Sequence, residues 1–343
     1  MTERERVLAA VAHKEPDICP CSVNKIDDKE FFMQAYGVDS VDGIRAHLTC
    51  DVRKNEYREH FRCEPGLSIW GASDDWDAGY SVARGGYPLA GVENVHEVDA
   101  YPWPGTDVID YAAIRRDIEA FDSRFSRVLS IGSLLSLHTL MDMFGMEDTL
   151  VGLHLDEPAI LAALAHITEF HCASVKCALE ACSDLCDFMW VGEDFATQRG
   201  MMMSPEVWRR HLKPVYARVF SIIKSYGLGV WFHSCGTFRP VMGDLIDIGM
   251  DVWETVQAHL EGNEPEVLKA EYGKHITFYG GVSSQSTLPF GTPEDVRKEV
   301  RERFRVLGKG GGYIIGGDHS FQKNMPPENI FALFDEVKKC AYN

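Results

Sequence analysis

The sequence lacks any Cys-x-x-Cys pair, although it has ten cysteines. That absence excludes zinc ribbons, thioredoxin-type motifs and iron–sulfur frameworks, whose ligands come in such pairs. Basic residues are scarce, with 34 Lys and Arg against 52 Asp and Glu and a net charge of −18. A surface of that sign repels phosphate backbones and no basic patch offsets it, so nucleic acid is not an expected partner. No stretch reads as apolar enough to span a bilayer. Residues 1–15 carry charge from the third position onward and contain no long apolar run, so neither a signal peptide nor an anchor is expected, and no membrane partner. With cysteines that read as free thiols and mostly as small buried hydrophobes, the expected location is the reducing cytoplasm. There is no internal repeat, low-complexity run, linker or Walker motif. Gly132-Ser133-Leu134-Leu135-Ser136 lacks the second glycine of a nucleophile elbow, which leaves a serine-hydrolase reading without support.

What is present is an α/β pattern. At 343 residues the chain is long enough for two average domains or for one large barrel, and its 45% hydrophobic content can fill such a core. Thr2 and Glu5 form a capping box ahead of the stripe Val7, Leu8 and Val11, which predicts an N-terminal helix feeding a short strand at 18–23. From residue 128 onward short β-rich runs alternate with long amphipathic helices, with strands predicted at 128–133, 188–192, 230–233, 252–256, 277–280 and 312–315. Ser204-Pro205-Glu206 and Thr292-Pro293-Glu294-Asp295 are helix starts, and Pro214 should kink the first of these helices. The final helix is expected at 327–339. This alternation predicts one domain over 1–343, a (β/α)8 TIM barrel with an N-terminal helical extension. A long insertion at about 51–120 carries Trp70, Trp76, Tyr80, Tyr87, Tyr101 and Trp103, and is expected to be partly hairpin and to cover one barrel end.

In such a barrel the chemistry sits at the C-terminal ends of the strands. Those ends carry Glu193 and Asp194, then His233-Ser234-Cys235, then Gln257, and finally Asp318 and His319. Strand side chains alternate faces, so His233 and Cys235 project the same way, as a chelate requires. An imidazole and a thiolate from one strand end, joined by His319 and the Glu193 carboxylate, make a donor set suited to Zn²⁺. The alternative is a histidine hydrogen-bonded in a packed loop beside a buried cysteine. Asp194 and Glu193 are candidate catalytic acids, and Asn24, His138, Gln257 and Asp318 are candidate substrate-binding residues. His154, His166 and His171 flank a helix and read as solvated. Gly308 to Gly312 precedes its strand, so it reads as a turn and not as a phosphate loop.

Several motifs together resemble the uroporphyrinogen decarboxylase superfamily, and within it the branch of corrinoid-linked methyltransferases. They are Arg6-Val7-Leu8-Ala9-Ala10 with Glu15-Pro16-Asp17, Ala100-Tyr101-Pro102-Trp103-Pro104, and Glu193-Asp194 followed by Thr197-Gln198-Arg199-Gly200. Ser204-Pro205, Leu212-Lys213-Pro214, His233-Ser234-Cys235-Gly236 and Pro326-Pro327-Glu328-Asn329-Ile330 complete the likeness. The resemblance implies a (β/α)8 barrel and, in the methyltransferase branch, a zinc site on the His-x-Cys motif with a further ligand, usually Cys, from the last strand end. Here His319 stands at that position, where the decarboxylase branch has a substrate-binding histidine. The arginine-rich stretch by which the decarboxylase meets a polycarboxylate is replaced by Ser22-Val23-Asn24-Lys25-Ile26-Asp27-Asp28, and its catalytic tyrosine by Leu140 or Met141. The expectation is therefore methyl transfer between a small methoxyaromatic, methylamine or betaine and a cobalamin-type corrinoid on a separate corrinoid-binding protein, with zinc assisting. The runner-up is metal-independent decarboxylation of a carboxylated aromatic or tetrapyrrole. A barrel that only binds a corrinoid partner or a ligand, and a homodimer, stay open.

Overall fold

A computed structural model describes residues 1–56, 60–72, 86–134 and 136–342. Its centre is a curled sheet of seven parallel strands that neighbour one another in chain order: β1 (Val52–Lys54), β2 (Ser126–Leu134), β3 (Phe188–Gly192), β4 (Gly229–His233), β5 (Val252–Val256), β6 (Thr277–Val282) and β7 (Tyr313–Gly317). Parallel neighbours need long crossovers, and helices such as Pro158–Cys182, Pro205–Ser225 and Pro293–Arg303 supply them. The helix starts are built as their residues dictate. Ser204 Oγ accepts from the Val207 N–H at 3.3 Å, and Thr292 with Asp295 closes a capping box. Pro214 lies inside Pro205–Ser225, and the helix continues past it.

Among the described residues seven strands make up this sheet, where eight are expected. The predicted strand at 18–23 is reduced to single bridges, Ile18 with Ala341 and Cys21 with Ile315. Pro20 has no N–H to give a ladder, which limits pairing there. The segment still bonds on both sides: Ser22 N–H donates to Ile315 O at 3.0 Å, Ile315 N–H to Pro20 O at 2.8 Å, and Asp51 N–H to Cys21 O at 2.9 Å.

Side-chain alternation splits the interior into two cores. Val52, Val128, Phe188, Trp190, Trp231 and Tyr279 pack inside the curl, whereas Met189, Val191 and Phe232 face the helices. The helix Pro158–Cys182 and the turn after it, through Leu185, form a stretch that by length and composition passes for a membrane span, contrary to the sequence reading. Its apolar residues, among them Ile160, Ile167, Val175 and Leu179, are buried in the outer core.

Within the stretch expected as an insertion, Val52–Lys54 is a strand of the central sheet, and the described part also includes the helices Val95–Asp99 and Tyr111–Glu119. Trp70 meets Phe170 edge-on with ring centroids 4.8 Å apart, and Trp103 stacks on His166 at 4.9 Å. These rings thus cover the helix Pro158–Cys182. Trp76 and Tyr80 lie outside the described residues, as does Leu135. His171, expected in solvent, is buried beside Trp70, their rings 5.7 Å apart.

Candidate functional site

The fully buried strand β3 delivers Glu193 and Asp194 at its C-terminal end, and its neighbour β4 delivers His233 and then Cys235. Gly236 lets the chain turn there with φ +85°, and a Cβ at that position would sit 2.5 Å from the Thr197 carbonyl oxygen. Only glycine therefore fits between Cys235 and the short hairpin formed by Ala196–Thr197 and Gly200–Met201.

His233 Nε2 lies 3.6 Å from Cys235 Sγ and 3.7 Å from Asp194 Oδ1, while Asp194 Oδ1 also accepts the Cys235 N–H at 2.7 Å. Among the described residues, Asp194, His233 and Cys235 form a cluster whose ligand atoms all lie within 4.8 Å of one another. Their protonation is mutually arranged. Burial and Asp194 push the Cys235 thiol up, yet His233 and His319 beside it bring it below its ordinary value. Burial pushes His233 down, and Cys235, Glu254 and Asp194 together carry it well above the usual imidazole range. Asp194 is lowered against its own burial, chiefly by the charges of His233 and His138. His319 is raised by its hydrogen bond with Cys235.

Of the residues expected to hold a metal, the structure brings His233 and Cys235 together, with Asp194 as the adjacent carboxylate. His319 borders Cys235 and bonds Ser320 Oγ through Nδ1 at 2.9 Å. It also lines a cleft of about 220 Å³ with Ser284, Gln285, Ser320, Gln322 and Met325. Glu193 stands outside the cluster. Its carboxylate accepts the Leu137 N–H at 2.7 Å, the His138 N–H at 3.0 Å and His138 Nδ1 at 2.8 Å, which anchors the start of the helix Ser136–Phe144. Gln257 Oε1 accepts the Gly236 N–H at 2.8 Å and so braces the turn after Cys235. Asp318, fully buried, accepts the Ser284 N–H at 2.8 Å and faces His259 Nδ1 at 3.3 Å. Asn24 is buried near the segment that bonds β7.

Sequence reasoning missed Glu254. It sits within β5 with Trp190 Nε1 donating at 3.0 Å, Trp231 Nε1 donating to its other oxygen, and His233 Nδ1 at 3.2 Å. Lys54 Nζ lies 3.9 Å away and 4.9 Å from the Trp190 ring. Burial raises Glu254, but Lys54, His233 and the Trp190 N–H reverse this and bring it down to about 2. The signal was a lone acid in the run Val252-Trp253-Glu254-Thr255-Val256, since a carboxylate in a wholly buried strand needs partners.

The donor set fits a zinc ion on its chemistry. It offers an imidazole nitrogen, a thiol held toward thiolate, and a carboxylate oxygen, and the second ring nitrogen of His233 is already occupied by Glu254.

The family profile described as uroporphyrinogen decarboxylase (URO-D) matches residues 112–340. No curated protein matches the chain. A solved methyltransferase from Methanosarcina mazei has the same fold, with TM-score 0.70, 18% identity and 99% coverage of both chains.

Proposed function

The chain belongs to the uroporphyrinogen decarboxylase family, and from that premise we propose that it is a methyltransferase working between a small methylated substrate and a corrinoid on a separate corrinoid-binding protein. The observation that carries this reading is the convergence of Asp194, His233 and Cys235 at the C-terminal ends of adjacent strands, the reacting face of such a sheet. The fold shared with a methyltransferase is consistent with it.

On this reading the segment Pro20–Ser22 serves as the eighth stave of the barrel, and the chain works in the cytoplasm. His233, Cys235 and Asp194 would hold zinc, with His319 completing the set or receiving substrate. A zinc ion there would supply a Lewis acid that withdraws charge from the methyl-bearing heteroatom. The protein's own residues do the rest. Asp194 fixes Cys235 through its backbone N–H, Gln257 fixes the turn that follows, and Glu193 locks His138 against the site wall. The cleft beside His319 has room for a small donor, and its hydroxyl and amide groups can orient one.

Decarboxylation of a polycarboxylate needs cations facing the substrate. Asp27 and Asp28 occupy the stretch where such cations would lie, and Asp27 is engaged by Lys25 and Ser320. The test is a screen of methoxyaromatics, methylamines and betaines with the zinc-reconstituted protein and cob(I)alamin, following loss of the cob(I)alamin absorbance. The expected result is turnover with at least one donor that falls to background in Cys235→Ser. A zinc-free protein that releases CO₂ from a carboxylated aromatic would overturn the reading.

A further inference from the structure

Glu254 is an acid buried within the strand β5. A carboxylate inside a sheet is costly to bury unless it is fully paired. Each of its oxygens is nevertheless supplied with a donor: Trp190 Nε1 at 3.0 Å and His233 Nδ1 at 3.2 Å on Oε1, and Trp231 Nε1 on Oε2. Lys54, from the end of β1, places its ammonium 3.9 Å from Oε1. Four side chains from β1, β3 and β4 thus converge inside the curl on the Glu254 carboxylate, and the carboxylate in turn meets the Nδ1 edge of one of them, His233. The opposite edge of the same ring, Nε2, is the one that faces Cys235 Sγ at 3.6 Å and Asp194 at 3.7 Å.

An imidazole can present either nitrogen, and the hydrogen bond made by one decides which lone pair is left on the other. We infer that Glu254 is the positioning residue of the proposed metal centre: by accepting the Nδ1 proton of His233 it commits Nε2 to the side of Cys235 and Asp194. Trp190, Trp231 and Lys54 hold the carboxylate in place for that task. The inference rests on the metal reading above, but its geometric half does not need a metal.

The experiment pairs two readouts on the full chain. Zinc affinity is measured by competition with a chromophoric chelator, and the ring nitrogens of His233 are followed by long-range ¹H–¹⁵N correlation in histidine-labelled protein, with and without zinc. In Glu254→Gln, zinc affinity is expected to fall by about 10- to 100-fold, the range for loss of a carboxylate behind a histidine ligand. The Nδ1–H signal of His233 is expected to move upfield, and Glu254→Asp should recover part of both effects. Should Glu254→Gln fail to fold, Trp231→Phe removes one donor while keeping a ring, and is expected to weaken zinc about three- to tenfold, the worth of one buried hydrogen bond. A folded Glu254→Gln with wild-type zinc affinity and an unmoved Nδ1–H signal would overturn the inference. Wild-type protein that takes up no zinc would instead refute the metal reading, and the Nδ1–H shift in zinc-free protein would still decide the role of Glu254.

Discussion

The two ends of the sheet use carboxylates in the same way toward the backbone and in opposite ways toward side chains. At the N-terminal end, Asp51, Asp187 and Asp251 each stand one residue before a strand, β1, β3 and β5. Each accepts a backbone N–H from the neighbouring segment: Cys21 at 2.8 Å, Arg127 at 3.3 Å and Val230 at 2.6 Å. Each is also met by a permanent cation, respectively Arg6, Arg4 and Lys224. At the C-terminal end, Glu193, Asp194 and Asp318 again accept N–H groups, from His138, Cys235 and Ser284. Their second partners are the imidazoles of His138, His233 and His259. A guanidinium or ammonium closes the account at neutral pH, whereas an imidazole keeps a lone pair and a proton in play. One end is therefore built for stability and the other for chemistry, from the same acceptor geometry.

The sharpest break in that comparison is Cys235→Ser. It should reduce zinc affinity on the order of 10³-fold, since a thiolate ligand is lost, while shifting unfolding stability by no more than about 1 kcal/mol. Chelator competition and urea unfolding of the same preparation check both halves. Asp51→Ala should do the reverse. It takes one of two carboxylate partners from Arg6, which keeps Asp17, and strands the Cys21 N–H, costs about 2 kcal/mol in urea unfolding, and leaves the zinc affinity of the folded protein unchanged.

Acid titration sharpens the same contrast. Burial pushes Asp51 up to about 6 against the pull of the Cys21 N–H and of Arg6. Because its folded value exceeds the unfolded one, the native state holds the extra proton between about pH 4 and 6. Stability from this group is present below that window and lost as pH rises through it. Wild type should therefore lose on the order of 2 kcal/mol relative to Asp51→Asn between pH 4 and 6, measured by urea midpoints at each pH. The smallest effect is expected for Gln257→Ala, where loss of the acceptor for the Gly236 N–H costs about 1 kcal/mol in thermal unfolding.

Much of the fold was legible because parallel strands buried on both faces read as short apolar runs. The predicted 188–192 and 252–256 coincide with β3 and β5. The strand predicted at 18–23 did not form as one, because Pro20 and its neighbours carry β-rich residues but make only single bridges, a tertiary outcome that local pattern does not encode. At the site, spacing placed His233 and Cys235 on one face and strand order placed the pair Glu193-Asp194 beside them, of which Glu193 was expected to join the metal. It could not tell Glu193 from Asp194, since adjacent acids point to opposite sides and only packing decides which meets the helix start at Leu137 and which meets Cys235. Glu254 was hidden for a related reason: it lies two residues before Val256, within its strand, and its function comes from Trp190, Trp231 and Lys54 on other strands.

One strand carries both ends of the comparison. Asp187 precedes β3 and Asp194 follows it by two residues. Zinc affinity of Asp187→Asn and Asp194→Asn, measured by chelator competition at a temperature where both are folded, tests the account most directly. It predicts a loss of at least about tenfold for Asp194→Asn and less than about twofold for Asp187→Asn. Equal affinities in the two variants would contradict it.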